Sequence, residues 1–147
     1  MSLTSNASAS LFRTKLLLYF DFEASHSLDV REEPHSHQWR TILTFTGEPV
    51  KGRIIDFPAL ESAIYADLAS LPNSYLNENA DLLADARAFP TSESLGASIF
   101  TILREHTVAR FRAENPTLTL LSVQVQLCEG ARIFGSAIVE NRDSPNY

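Results

Sequence analysis

Two stretches decide the fold: Lys15-Leu16-Leu17-Leu18-Tyr19-Phe20-Asp21-Phe22-Glu23-Ala24-Ser25-His26 and His35-Ser36-His37-Gln38-Trp39-Arg40-Thr41-Ile42-Leu43-Thr44-Phe45-Thr46, separated by a polar turn over 27–34. Both carry aromatic residues and alternate in character with a period of two, which predicts two β-strands joined as a hairpin. Phe20, Phe22, Ala24 and His26 share one parity of the first strand. His35, His37, Trp39, Thr41, Leu43 and Phe45 share one parity of the second. Side chains two apart on a strand point the same way, so His35 and His37 face together, and a hairpin partner can bring His26 to them. These are three of the chain's four histidines.

Three imidazoles converging from two strands form the ligand set of a catalytic zinc site, which keeps one position open for water or a substrate oxygen. The distal ring N–H of each histidine then needs an acceptor, and Asp21, Glu23, Glu32 and Glu33 are the local candidates. A bare His-x-His is also what surface or polar core histidines look like, and these residues alone leave both readings open. His106, in a helical stretch with apolar neighbours, reads as a packed or surface histidine and not as a ligand.

Outward from the hairpin, Gly47-Glu48-Pro49 reads as a turn and Arg53 to Phe57 as a brief extended segment. Pro58 to Leu71 predicts a helix with Leu60, Ile64, Leu68 and Leu71 at helical spacing, Asp56 as its cap and Pro58 in the first turn. Pro90-Thr91 opens a second helix, capped by Thr91, with Leu95, Ile99, Ile102, Leu103, His106 and Ala109 or Arg110 as its stripe; Asn115-Pro116 ends it. Leu118 to Leu127 and Arg132 to Val139 predict two more strands that turn near Glu129-Gly130. The order is ββ, two helices, ββ: an α+β fold, an antiparallel sheet with two helices on one face. A single domain is expected over residues 13–140, with flexible tails over 1–12 and 141–147.

Bulk properties narrow the function. At 147 residues and 44% hydrophobic, the chain can bury one real core. Twelve Lys and Arg against 18 Asp and Glu give a formal net charge of -6, which disfavours a nucleic-acid partner. No apolar run approaches the roughly 20 residues needed to span a bilayer, and no basic, apolar leader precedes Leu11, so a cytoplasmic protein is expected. The lone Cys128 excludes an internal disulfide and a cysteine-rich metal site; its expected role is a small buried hydrophobe.

With these pieces in order, the chain resembles the 6-pyruvoyltetrahydropterin synthase and 6-carboxytetrahydropterin synthase family over about residues 16–139. Phe22-Glu23-Ala24-Ser25-His26 is similar to its Phe-x-Ala-x-His segment and His35-Ser36-His37 to its His-Gly-His. Gly52 to Phe57 is similar to the segment ending in Asp-Phe, Leu76-Asn77 to the Leu-Asn after the catalytic loop, and Phe89-Pro90-Thr91-Ser92-Glu93-Ser94-Leu95 to Pro-Thr-Ser-Glu-Asn-Leu. The resemblance implies a tunnelling fold, in which sheets from several subunits close an oligomeric barrel with active sites at the interfaces. It further implies a homo-oligomer (a hexamer, or a tetramer), a zinc ion on His26, His35 and His37, and a small-molecule substrate.

The sequence departs from the family where the chemistry is done. The usual cysteine in the loop before the paired histidines is absent, and Glu32 or Glu33 is the candidate to move the proton instead. The catalytic loop's Leu-Asp-His is replaced by Leu71-Pro72-Asn73, leaving Asn73, which can hydrogen-bond but not titrate, and Tyr75 as a reserve proton donor or a packing residue. The family's glutamate on the third main strand aligns with Leu127; Glu129, two residues on, is the nearest carboxylate. Trp39 is expected to wall the pocket and Glu93, in the Pro-Thr-Ser-Glu segment, to bind substrate. The expected activity is that of a zinc-dependent lyase or cyclase acting on a small oxygenated metabolite by other than the standard pterin reaction. A non-catalytic zinc or pterin-like ligand-binding oligomer, or a carboxytetrahydropterin synthase homologue with residual activity, is the alternative.

Overall fold

The computed structural model describes residues 11–29 and 31–142. Most of both expected tails, residues 1–10 and 143–147, lies outside the described residues; Leu11 and Phe12 are described and exposed.

Strands β1 (Lys15–His26) and β2 (His35–Thr46) have the expected bounds, and β3 (Thr119–Glu129) and β4 (Arg132–Glu140) follow the helices. They form one antiparallel sheet in the order β1-β2-β3-β4. Alternation dictates the burial: Phe20, Phe22 and Ala24 of β1, Trp39, Thr41, Leu43 and Phe45 of β2, and Val123 and Val125 of β3 all point to one face and are buried. Thr41 is the polar member of that set, and it is satisfied by donating to the Phe20 carbonyl at 2.7 Å.

Helix α1 (Phe57–Asp67), the short α2 (Ala84–Ala88) and α3 (Ser92–Ile102) cover this face. Asp56 is the α1 cap residue and Pro58 lies in the first turn, although the Asp56 side chain makes no capping bond. Thr91 caps α3 in a reciprocal box with Ser94. Leu60, Ile64, Leu95, Ile99 and Leu103 fill the space between helices and sheet. At Gly96 an added Cβ would sit 2.7 Å from Val139 Cγ2, so only a glycine lets α3 approach β4 this closely.

Three expectations are corrected. Arg53 to Phe57 is not extended: Val50 and Arg53 pair across a tight turn in which Lys51 and Gly52 take φ of 53° and 86°, and Phe57 already opens α1. The α1 helix stops at Asp67, not Leu71; Leu68 and Leu71 stay buried because the chain leaves the helix through successive turns. The second long helix is not one uniform helix. After α3 comes a π-helical stretch over Leu103–Val108, and then a last turn, α4 (Ala109–Phe111). The wider turn rotates the stripe, burying Thr107, Val108 and Phe111 and leaving His106, Ala109 and Arg110 exposed. Asp67 holds the rotated segment by accepting from Thr107 Oγ1 at 2.5 Å and from the Arg110 guanidinium.

No described helix is long and apolar enough to cross a membrane.

Candidate metal centre

The hairpin register pairs His26 with His35 and Ala24 with His37. All three histidines therefore project from the helix-covered face, at the end of the sheet where β1 and β2 join. Each can offer one ring nitrogen such that the three atoms lie within 4.8 Å of one another. Tetrahedral nitrogen ligands about 2.1 Å from zinc would stand roughly 3.4 Å apart, so small side-chain rotations close the set on an ion.

The donor chemistry fits a metal. His26 Nδ1 lies 2.8 Å from the Pro90 carbonyl oxygen. A carbonyl only accepts, so Nδ1 carries the proton and Nε2 keeps its lone pair. His35 Nδ1 lies 3.2 Å from Glu32 Oε1 and 3.3 Å from the Glu33 carbonyl oxygen, which fixes the same tautomer. Burial pushes His26 below the ordinary histidine value, opposed by the Pro90 carbonyl and reinforced by His35. His37 is also lowered, first by burial, then by His26 and His35, with Glu129 pulling the other way. Neutral imidazoles near pH 7 are the state a metal needs.

Trp39 lies beneath the cluster. It is fully buried, its ring standing edge-on to His26 at 5.2 Å and to His37 at 6.1 Å between centroids, and its Nε1–H donates to the Ala24 carbonyl at 3.2 Å. It is a floor under the histidines and not an exposed pocket wall.

The remaining expected site residues fall into three places. Glu32 and Glu33 flank His35 in the turn before β2, Glu32 by its carboxylate and Glu33 by its backbone carbonyl. Asn73 and Tyr75 lie in the loop that runs along the open edge of β1. Asn73, in the left-handed region at φ 60°, donates its N–H to the Glu23 carbonyl at 2.6 Å, and the next residue, Ser74, accepts from the Ser25 N–H at 3.0 Å. Tyr75 Oη donates to Ser27 Oγ at 3.1 Å, and Ser27 Oγ donates to the Glu32 carbonyl at 3.2 Å. Glu129 and Glu93 lie on the other flank. Trp39 pairs with Leu127 and Gln38 with Cys128, so Glu129, next on β3, comes alongside His37; Glu93 is exposed on the first turn of α3.

The sequence reading missed the buried Ser27, whose N–H and carbonyl are both held by the Asn77 amide at 2.9 and 2.8 Å. It missed the Pro90 carbonyl as the partner of His26. It also missed Phe134, whose ring stands edge-on to His37 at 6.3 Å. Asn77 and Pro90 belong to segments already singled out as motifs, but a backbone acceptor has no signature of its own in a sequence. Phe134 is brought in by a bulge that alternation does not foretell.

The 6-pyruvoyl tetrahydropterin synthase family model matches residues 15–133. No curated protein matches the chain in sequence. Among solved structures, the chain is similar to the Caenorhabditis elegans 6-pyruvoyl tetrahydropterin synthase at TM-score 0.66 and 16% identity, over 88% of this chain and 96% of that one. An uncharacterized protein from Wolinella succinogenes follows at TM-score 0.64 and 15% identity, covering 89% and 99%. A Plasmodium vivax 6-pyruvoyltetrahydropterin synthase in which a catalytic glutamate is replaced by alanine matches at TM-score 0.57 and 14% identity, covering 88% and 99%. At these identities the structures speak for the fold, which is the tunnelling fold; the family model spans most of the sequence and includes all three histidines. The chain belongs to the 6-pyruvoyl tetrahydropterin synthase family.

Proposed function

We propose that this chain is a zinc-dependent lyase or cyclase of the pterin-synthase type, acting on a small oxygenated metabolite other than the standard pterin substrate. Family membership supports a lyase of this type. The observation that carries the zinc reading is the pre-set tautomer of His26 and His35, each with Nδ1 engaged and Nε2 free for a metal. Zinc, when bound, would supply a Lewis acid that polarises a substrate oxygen.

The rest of the chemistry falls to the chain's own groups. Glu32 is the proposed proton carrier: its carboxylate lies at the edge of the histidine cluster, half in solvent, where it can take a proton from a substrate carbon or hydroxyl and return it. Glu33 is the second candidate. A glutamate is a catalytic residue in the Plasmodium vivax relative, which supports a carboxylate in the role the missing cysteine would have had. Tyr75 is the reserve proton donor; its hydroxyl also ties the Glu32 turn to β1 through Ser27. Asn73 supplies hydrogen bonds but no proton, and Pro72 supplies neither from its side chain, so the standard relay is not available. Trp39, Asn73, Glu93 and Glu129 are the proposed substrate-side residues, Trp39 acting from below through the imidazoles.

The proposed working form is a homo-oligomer, hexamer or tetramer, in the cytoplasm; the exposed edge strand β4, which a second subunit would cover, supports association. A second reading, a pterin-like ligand bound with weak or no turnover, is favoured by one observation. The Glu129 carboxylate is close enough to His37 to act on its charge, and could anchor a pterin edge.

The deciding experiment is a crystal structure of zinc-loaded protein with the anomalous zinc signal, together with zinc stoichiometry in solution. One zinc per chain on His26, His35 and His37, with an open position beside Glu32, is expected. Absence of metal despite zinc supplementation removes the mechanism.

A further inference from the structure

The turn between β1 and β2 carries both groups that His35 Nδ1 touches, the Glu32 carboxylate at 3.2 Å and the Glu33 carbonyl oxygen at 3.3 Å. Its described residues from Leu28 to Pro34 are all exposed, so burial contributes little to holding it in place. Ser27, at its root, is 3% exposed. Ser27 lies just beyond the end of the β1–β2 ladder, whose last pair is His26 with His35, and its buried main-chain groups need partners from elsewhere.

Asn77 supplies them. Along the outer edge of β1, the Glu23 carbonyl accepts from the Asn73 N–H at 2.6 Å, and the Ser25 N–H donates to the Ser74 carbonyl at 3.0 Å, with Ser25 and Tyr75 bridged in parallel. Two residues further on, the Ser27 N–H donates to Asn77 Oδ1 at 2.9 Å and Asn77 Nδ2–H donates to the Ser27 carbonyl at 2.8 Å. A side-chain amide carries the same donor and acceptor as a peptide group, so Asn77 extends this edge pairing by one rung. Leu76, fully buried, anchors it from the neighbouring position.

From this root Ser27 Oγ reaches across the turn and donates to the Glu32 carbonyl at 3.2 Å. A carbonyl only accepts, so the hydroxyl's one proton is committed there, and Oγ accepts from the Tyr75 hydroxyl at 3.1 Å. The Glu32 N–H closes the turn on the Asp29 carbonyl at 2.9 Å. A continuous path of hydrogen bonds thus runs from Asn77 through Ser27 to the turn that fixes His35.

We propose that Asn77 and Ser27 are positioning residues of the histidine cluster: they latch the turn carrying Glu32 and Glu33 to the end of β1, and so hold His35 with Nδ1 protonated and Nε2 free. Both act through Glu32 and Glu33. The functional consequence rests on the zinc-lyase reading, in which the latch readies a ligand and places the proposed proton carrier; the latch itself can be read in metal-free protein.

The test uses full-length, isotope-labelled protein without metal. Long-range proton–nitrogen NMR spectra, recorded well above the ordinary histidine pKa, show which ring nitrogen of each histidine carries the proton. The parent should show the Nδ1–H tautomer at both His26 and His35. Ser27→Ala removes the bond to Glu32 and keeps both main-chain bonds to Asn77; it should turn His35 into a mixture of tautomers while His26, held by Pro90, keeps Nδ1–H. Asn77→Asp, which sets an oxygen against the Ser27 carbonyl, should do the same. Zinc affinity, measured by competition against a chelator, should fall about tenfold in Ser27→Ala. Adding Glu32→Gln should lower it little further, because both changes break one path. An unchanged His35 tautomer, simultaneous loss of the His26 and His35 tautomers, or fully additive affinity losses in the double variant overturns the latch. A chain that takes up no zinc overturns the zinc reading, and the His35 tautomer in metal-free protein still decides the latch.

Discussion

His26 on β1 and Pro90, 64 residues later, are joined by a 2.8 Å hydrogen bond from the imidazole Nδ1–H to the backbone carbonyl. Pro90 immediately precedes Thr91, the cap of α3. The orientation of this histidine is thus held by the residue that precedes a helix on the opposite layer, so the geometry of the cluster depends on where α3 begins. A histidine so held has little freedom left to lose on binding a metal. Replacing it with His26→Gln should lower zinc affinity by more than about 100-fold, beyond the range seen when only an outer partner of a ligand is removed. Competition titration against a chromophoric chelator would measure this, and affinity within a few fold of the parent would exclude His26 as a ligand.

Glu32 and Glu33 touch the same nitrogen by different means. Glu32 uses its carboxylate and Glu33 its main-chain carbonyl. Glu32→Gln should therefore weaken zinc binding about tenfold, the lower end of the effect of losing an outer partner. Glu33→Gln keeps the carbonyl and should change it less than about twofold. If Glu33→Gln were the more damaging variant, the Glu32 carboxylate would not be the partner that holds His35.

Much of this site is legible in the sequence because strands impose a strict period of two. Once β1 and β2 are recognised, His26, His35, His37 and Trp39 must share a face, and the register then sets His26 opposite His35. Thr91-Ser92-Glu93-Ser94 likewise announces a helix start through its side-chain bonds to the backbone. What stays hidden is carried by backbone atoms or by breaks in periodicity. The Pro90 carbonyl, the bulge that presents Phe134 and the π-helical turn that buries Thr107 and exposes His106 all depend on tertiary fit. Pattern alone predicts a uniform helix over these residues; the bond that Asp67 accepts from Thr107, 40 residues later, has no local signature.

The lowered values of His26 and His37 give the metal-free protein a pH dependence with a definite sign. The unfolded chain takes up protons on these rings near 6.5, whereas the folded chain resists until a lower pH. As pH falls through 6.5 the unfolded state binds more protons, so the contribution to stability present above that pH is lost. Thermal unfolding of chelator-treated protein should show a lower Tm at about pH 5.5 than at about pH 7.5, and His37→Gln should shrink the difference. An equal or larger drop in His37→Gln would remove His37 from the account.

Gly96 and Gly135 give opposite predictions from one geometric fact each. An added methyl at Gly96 meets Val139 Cγ2 at 2.7 Å and Val125 Cγ2 at 3.6 Å; at Gly135 it meets nothing within 4 Å. Overpacking of this kind costs about 1–3 kcal/mol, so Gly96→Ala should destabilise by that amount in denaturant unfolding despite alanine's better helix propensity. Gly135→Ala should be neutral or stabilise by up to about 0.5–1 kcal/mol, since a glycine within a strand is entropically costly. Because the Gly96 clash is with the tip of Val139, adding Val139→Ala to Gly96→Ala should recover part of the loss, a coupling that independent sites would not show. Additive losses in the double variant would mean that α3 does not rest on β4 at this point.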